Sequence, residues 1–377
     1  MMSGGDLQQC QGLLFFGGKM GRKIGLTYNL KSDVQLSAGD PIDLNAEFDS
    51  EETVNCIVAA LEAGGHQVKK IGHVYNLIKQ IEDLDVDIVF NIAEGFNGRN
   101  RESQIPLLLE LFAIAYVGSD ALTLGITLDK IAAKKCFIAD GLPTAPYFCA
   151  EQTEDLARFN TIGYPLIVKP RYEGTSKGLS AQSRVENLDQ LTRQVELITQ
   201  KYKQAALVEK FVRGMEFTVP VLGNGNPRAM PVSQVKINGK LDLGNEFFTF
   251  ERVLAKDDSL QYACPAPISS ELTQRLQAIA VLAYKSVDCR DFGRVDFRVD
   301  EQGNLFILEI NPLPSLAKQD VFNLFPQTMG STYQKTVNQI LDFALERYGL
   351  DQDQKMTHQK INATSHAGIP AGKYVRR

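Results

Sequence analysis

The chain lacks the features of a nucleic-acid binder, a disulfide scaffold or a membrane span. Its 40 lysines and arginines are outnumbered by 45 aspartates and glutamates, giving a net charge of −5 at pH 7. No overall basic field therefore draws it to nucleic acid or to an anionic bilayer. No apolar run approaches the roughly 18–20 residues of a transmembrane helix. The patch Leu13-Leu14-Phe15-Phe16 is too short for a secretory signal and has no small-residue cleavage site after it. Six cysteines (Cys10, Cys56, Cys136, Cys149, Cys264 and Cys289) include no CxxC pair. That spacing argues against a zinc site or a disulfide framework and suits reduced thiols in a cytoplasmic protein. Only four histidines occur, His66, His73, His358 and His366, and none falls in a motif described below. What remains is an ordinary globular composition: 377 residues, 44% hydrophobic and 23% charged, enough for two to three domains with real cores.

Periodicity predicts alternating strands and helices. Residues 1–22 read as a loose leader and residues 350–377 as a polar, disordered tail. Between them, Lys23 to Tyr28 reads as a first strand. Ser50 is placed to cap a helix that Gly64-Gly65 stops, and further strands are expected at 66–71, 87–92 and 115–117. This alternation implies an α/β fold with an N-terminal parallel sheet over 23–125. A helix at 128–140 opens a second lobe, 126–208. A third, 209–349, carries strands near 216–222 and 229–235, a long polar loop at 239–261, a helix at 271–287, a hairpin at 292–310 and a closing helix at 333–348.

The most informative stretch is FGRVDFRVDEQGNLFILEINPLPSL, Phe292 to Leu316. A two-residue turn at Gln302-Gly303 would pair Val295 with Ile310, Phe297 with Leu308 and Val299 with Phe306 on one apolar face. The other face would set Arg298 against Ile307, Asp296 against Glu309 and Arg294 against Asn311. Directly opposed carboxylates repel, and a divalent cation between them relieves the repulsion. An oxygen-only set of Asp296, Glu309 and Asn311 suits Mg²⁺. The competing reading is a surface hairpin with solvated charges.

Two weaker signals accompany it. PLIVKPRYEGTSKGLS, Pro165 to Ser180, ends a strand in Lys169 and continues into a glycine- and hydroxyl-rich loop whose N–H groups can gather phosphate oxygens. It matches neither common phosphate-loop pattern, and alone it reads more readily as a surface turn. In LVEKFVRGMEFTVPVL, Glu209 and Glu216 end strands around a polar turn, either as ligands for an adenine or ribose or as solvated edge charges.

Taken in order, DKIAAKKCFIADGLPTAPY, IVKPRYEGTSKG, LVEKFVRGMEFTV and the hairpin sequence resemble the ATP-grasp superfamily, and within it the D-alanine–D-alanine ligases, over about Lys23 to Tyr348. The resemblance implies a three-lobed ATP-grasp fold with a pre-ATP-grasp N-terminal domain. It also implies an ATP-dependent ligase that joins a carboxylate to an amine through an acyl phosphate. Lys134 and Lys169 would contact phosphates, and Glu173, Thr175 and Ser176 would lie on a mobile loop covering them. Lys210 and Phe211 would border the adenine, with Glu209 and Glu216 at adenine and ribose. Asp296, Glu309 and Asn311 would hold two Mg²⁺ or Mn²⁺ ions, and Arg294 with a backbone N–H near Ser315 would stabilise the oxyanion. The segment 239–261 would close with the loop, and a homodimer is what the family suggests.

The departures concentrate at the amino-acid sites. After the first strand, Asn29-Leu30-Lys31-Ser32-Asp33 replaces a glycine/serine turn and its glutamate. Glu94 stands for a histidine, Arg99 and Arg101 enter the following segment, and Arg252 is the nearest basic residue to a missing lysine–tyrosine pair. Asp320 and Val321 replace the serine and leucine that seat the second substrate's carboxylate. Asp320 would then favour an acceptor without a nearby α-carboxylate or with a second positive charge, unless it merely caps a helix. Arg99 and Arg101 would suit an anionic group on the carboxyl donor. The substrates are therefore expected to be small and amino-acid-like. The competing readings are a genuine D-alanine–D-alanine ligase, acyl transfer to a carrier-protein thiol, and non-catalytic nucleotide binding, the last disfavoured by the intact Arg294 and metal set.

Overall fold

The computed structural model describes residues 21–351 except 36, 154–155, 157–160 and 256–258. Nearly all of the expected leader and tail lies outside the described residues. The first sheet is parallel, in the order β2-β1-β3-β4. Its strands are β1 (Lys23–Thr27), β2 (Gln67–Gly72), β3 (Ile88–Asn91) and β4 (Tyr116–Val117), with helices α1 (Glu51–Ala63), α2 (Val74–Ile78) and α3 (Gln104–Leu111) between them. Helix α1 forms where expected because Ser50 Oγ accepts the Thr53 N–H at 3.1 Å. Its Val54, Ile57, Ala60 and Leu61 are buried on one face. Two helices follow, α4 (Ala121–Leu128) and α5 (Lys130–Ala139), where one was expected from 128. Asp129 breaks the pair in extended conformation and caps α5 through the N–H groups of Ile131 and Ala132.

The second sheet is antiparallel, in the order β5-β8-β6-β7, from β5 (Tyr147–Ala150), β6 (Leu166–Pro170), β7 (Arg184–Val185) and β8 (Ala206–Lys210), covered by α6 (Leu188–Lys201). The third comprises β9 (Met215–Leu222), β10 (Arg228–Ala229), β11 (Ser233–Ile237), β12 (Leu260–Ala263), β13 (Phe292–Val299) and β14 (Leu305–Asn311). The segment expected as a loop over 239–261 instead contains α7 (Phe250–Leu254) and the start of β12, which pairs with β11. Helix α8 (Ser270–Ser286) packs under this sheet, and α5 joins the same core through Ala133 and Phe137. Helices α9 (Val321–Thr328) and α10 (Tyr333–Arg347) return to the first domain and share a core with α1.

The hairpin register is half as expected. Arg294↔Asn311, Val295↔Ile310 and Asp296↔Glu309 are directly opposed, but beyond a bulge Phe297 pairs with Ile307, Arg298 with Phe306 and Val299 with Leu305. The turn is longer than two residues because Asp300 organises it. Its carboxylate accepts from the backbone N–H groups of Gln302 (3.0 Å) and Asn304 (2.8 Å). The bulge absorbs the extra residue and exchanges two side chains: Ile307 enters the core, and Leu308 faces the cleft.

One buried ionic cluster joins the first domain to the third. Asp291, fully buried, accepts from Gly118 N (2.8 Å) after β4, from Asn224 Nδ2 (2.8 Å) after β9 and from Arg347 Nη2 (2.7 Å) on α10. Removing one member of a buried pair strands the other charge, at about 3–5 kcal/mol. Arg347→Met should therefore lower the urea midpoint followed by far-ultraviolet circular dichroism, and an unchanged midpoint would show that the cluster does not hold the domains together.

Candidate active site

A cavity of about 1070 Å³ lies where the three sheets meet. One wall comes from the second sheet. Glu209, at the end of β8, is buried between two lysines, with Oε2 2.7 Å from Lys134 Nζ and Oε1 2.5 Å from Lys169 Nζ. Burial alone would raise this carboxyl, but the two ammonium groups outweigh it and hold it down to about 2. Burial likewise pulls Lys134 down, aided by the neighbouring Lys169, whereas Glu209 and Glu309 overcome burial and raise Lys169. Of the two lysines, Lys169 lines the cavity and Lys134 does not. Lys134 is fully buried behind Glu209, with Nζ also donating to Thr144 Oγ1 at 2.6 Å, so the expected phosphate contact is corrected to a supporting role. The lysine of α5 that lines the cavity is instead Lys130, in its first turn, 3.2 Å from Glu309 and also donating to the Glu173 carbonyl. Sequence reading passed over Lys130; the signal was a lysine directly after a helix-capping aspartate.

Lys210 Nζ donates to the carbonyls of Tyr164 (2.8 Å) and Gly163 (3.1 Å), which pins the chain beside Phe211 at the cavity edge. In the loop after β6, Thr175 and Ser176 line the cavity with φ of +46° and +57°, a left-handed pair that costs energy for residues with a Cβ. The first domain holds that loop in place. Gly178 N donates to Asp43 Oδ2 at 2.7 Å, and Lys177 pairs with Glu47 at 3.3 Å and with Glu173 at 2.5 Å. Glu173 thus turns away from the cavity, also accepting from Gln204 Nε2 at 2.7 Å, and its expected place over phosphates is not where its side chain lies. The loop meets the 239–261 segment where Phe250 N donates to the Leu179 carbonyl at 3.0 Å.

The facing wall is the hairpin. Asp296 accepts from Arg294 through both oxygens (3.0 Å each), from Thr218 Oγ1 (2.5 Å) and from Asn311 Nδ2 (3.1 Å). Opposite it, Glu309 is held down to about 2, because Lys130, Lys169 and Arg294 outweigh its burial. Glu216 pairs with Arg298 Nε at 2.9 Å, yet burial keeps its carboxyl above the ordinary range, with Asp296 and Glu309 adding to the effect. Two carboxylates and an amide on one face of an antiparallel pair, all lining the cavity, form an oxygen donor set that fits a hard divalent cation. Among the described residues no cluster of three or more His, Cys, Asp or Glu side chains competes for that role. Ser315 also lines this wall, its Oγ accepting from Ala317 N at 3.2 Å.

The third wall belongs to the first domain and carries Asp49, Glu94 and Glu102. Arg99 and Arg101, expected to face a substrate, line no part of the cavity. Arg101 is buried in an ion pair with Glu47 (2.8 Å), its guanidinium also 3.4 Å from Glu173. Arg99 is exposed near Asp129 at 3.7 Å and over the Tyr172 ring. Asp320 caps α9, its Oδ1 accepting from Val321 N at 2.6 Å, while its Oδ2 lies 3.5 Å from Arg294 at the cavity wall.

The chain is similar to known proteins in sequence and in fold. A family profile described as D-ala D-ala ligase C-terminus matches residues 137–342. An uncharacterized protein of Sinorhizobium fredii is 33% identical over 304 residues, covering 78% of this chain and 87% of that protein. The D-alanine–D-alanine ligase of Syntrophobacter fumaroxidans is 32% identical over 316 residues, covering 82% and 96% respectively. Among solved structures, the D-alanine–D-alanine ligase of Bacillus anthracis complexed with ATP aligns with a TM-score of 0.68 at 21% identity, over 88% of this chain and 100% of that one.

Because the Glu209 carboxyl stays ionised to a lower pH folded than its ordinary 4.5, its contribution is complete above about pH 4.5 and is lost as pH falls towards 2. Glu209→Gln should be less stable than the parent at neutral pH, since it strands two buried lysines, and the gap should narrow on acidification. Unfolding midpoints between pH 6 and pH 2.5 measure this, and a gap that stays constant would contradict it.

Proposed function

Since the chain belongs to the D-alanine–D-alanine ligase family, we propose that it is an ATP-dependent carboxylate–amine ligase acting on small, amino-acid-like substrates. The observation that carries this reading is one cavity with cationic lysines on one wall and the Asp296–Glu309–Asn311 set with Arg294 on the other. In the proposed reaction a substrate carboxylate oxygen attacks the γ-phosphorus of ATP, and the bond to the β-phosphate bridging oxygen breaks. ADP leaves and an acyl phosphate forms. An amine then attacks the acyl carbon, the resulting tetrahedral oxyanion collapses, and phosphate departs while the amine gives up its proton. Little acid–base machinery is required for the first step, since positioning and charge neutralisation carry phosphoryl transfer.

The residues divide that work. Lys169 and Lys130 would bind phosphate oxygens, with Glu209 seating Lys169 as a positioning residue. The backbone at Lys210 and the Phe211 ring would border the adenine, and Glu216 would accept from ribose hydroxyls. Thr175 and Ser176 would cover the phosphates. Mg²⁺ or Mn²⁺ held by Asp296, Glu309 and Asn311 would supply further neutralisation of the phosphate charge. Arg294 would stabilise the oxyanion together with a backbone N–H near Ser315, and its guanidinium, held charged by Asp296 and Asp320 despite burial, cannot deprotonate near neutral pH.

Asp296→Asn and Glu309→Gln should abolish ADP release while retaining the fold, and near-normal turnover of both at saturating Mg²⁺ would refute the metal assignment. Arg294→Ala should lower kcat on the order of 10²–10³-fold, as loss of an oxyanion donor does. A change confined to KM for ATP would place Arg294 on the nucleotide instead.

A further inference from the structure

The first-domain wall of the cavity carries more carboxyl groups than cations: Asp49, Glu94 and Glu102 share it with Lys31, whose charge acts on Asp49. Glu102 is only 7% exposed, lines the cavity, and among the described residues receives no hydrogen bond or ion pair; the Asp49 and Glu94 side chains likewise receive none. Their placement is built rather than incidental. Asn29 Oδ1 accepts Gly95 N at 2.9 Å, fixing the turn next to Glu94. Gly95 itself has φ of +76°, and an added Cβ would stand 2.4 Å from the Arg101 carbonyl oxygen. Apart from Lys31, the nearby cations are engaged elsewhere: Arg101 and Lys177 with Glu47 and Glu173, Lys130 with Glu309, and Arg99 beside Asp129.

Resting on the ligase reading above, we propose that the substrate bound against this wall carries at least two ammonium groups, as a diamino acid does, and that Glu94, Glu102 and Asp49 select it. A single α-ammonium would answer one carboxylate and leave the others to keep their protons, since ionised and unpaired they would repel each other in a poorly solvated site. A second cationic group completes the pairing, and a monocationic competitor is disfavoured by the charges it leaves unmatched. This reverses the anionic group that Arg99 and Arg101 led one to expect.

In the free protein burial favours the protonated form of these groups. Burial, with neighbouring carboxylates adding to it, pushes Glu94 well above the carboxylate range, and burial moves Glu102 and Asp49 to about 7. The charged groups facing them are Glu47, Glu173, Arg101, Lys130 and Lys31. A dicationic ligand displaces these protons, whereas a neutral hydroxylated ligand would keep them.

The test uses the full chain with ATP and Mg²⁺. Phosphate release is measured with 2,3-diaminopropionate, 2,4-diaminobutyrate, ornithine and lysine against alanine and norvaline, in both enantiomers, as carboxyl donors. At least one diamino acid should show a KM about tenfold or more below that of its monoamino counterpart. The ratio should fall towards one in Glu94→Gln and Glu102→Gln, with ATP binding followed alongside to report on folding. Calorimetry in two buffers of different ionisation enthalpy should show proton release on diamino-acid binding. Equal KM values, a ratio unmoved by either variant, release of no protons, or no diamino-acid binding to a protein that binds ATP would each overturn the inference. Failure to bind ATP at all would overturn the ligase reading itself.

Discussion

Asp296 and Glu309 face each other across an antiparallel pair, and this repulsion organises the cations around the cleft. Arg294 grips one carboxylate through both oxygens, while Lys130 reaches the other from a different lobe. Lys130 is aimed by Asp129, which ends α4, caps α5 and holds Arg171 through two contacts of 2.7 and 2.6 Å. Lys169 adds its field from the second sheet and is itself steadied by Glu209. A local conflict on one hairpin is thus resolved by Arg294 on the hairpin itself and by lysines from two distant stretches of chain. Such concentration of like charge, with partners brought from elsewhere, is more typical of functional sites than of stabilising surfaces.

The first domain acts as more than a neighbour to the nucleotide cleft. Its Asp43 and Glu47 hold the loop that presents Thr175 and Ser176, so the left-handed pair in that loop is supported from across the cavity. Asp291 ties the end of the parallel sheet to the third lobe and to α10. Glu47 shares Arg101 and Lys177 with Glu173, so one ion-pair network joins the first-domain wall to the loop that carries Thr175 and Ser176.

Much of this was legible from local pattern. The opposed pair Asp296–Glu309 and its neighbours Arg294 and Asn311 followed from strand alternation, because they lie on the side of the bulge away from the turn. Beyond the bulge the register changed, since Asp300 stabilises a longer turn through contacts that alternation does not encode. The caps Ser50 and Asp320 were readable because a capping bond spans only a few residues. Lys134 and Lys130 sit four residues apart on one helix, and the sequence could not say which faced the cavity and which lay behind Glu209.

The sequence by itself determined the alternation of strands and helices, the order of the motifs and the oxygen-only chemistry of the hairpin. Each depends on periodicity or on residues close in the chain. Tertiary structure alone decided which charged side chains face the cavity from the first domain. Arg101 stands next to Glu102 in sequence, yet it turns to Glu47, 54 residues away, and leaves Glu102 facing the cavity. Which of two adjacent opposite charges is neutralised depends on what the fold packs against each, and that partner lies beyond the reach of any local pattern.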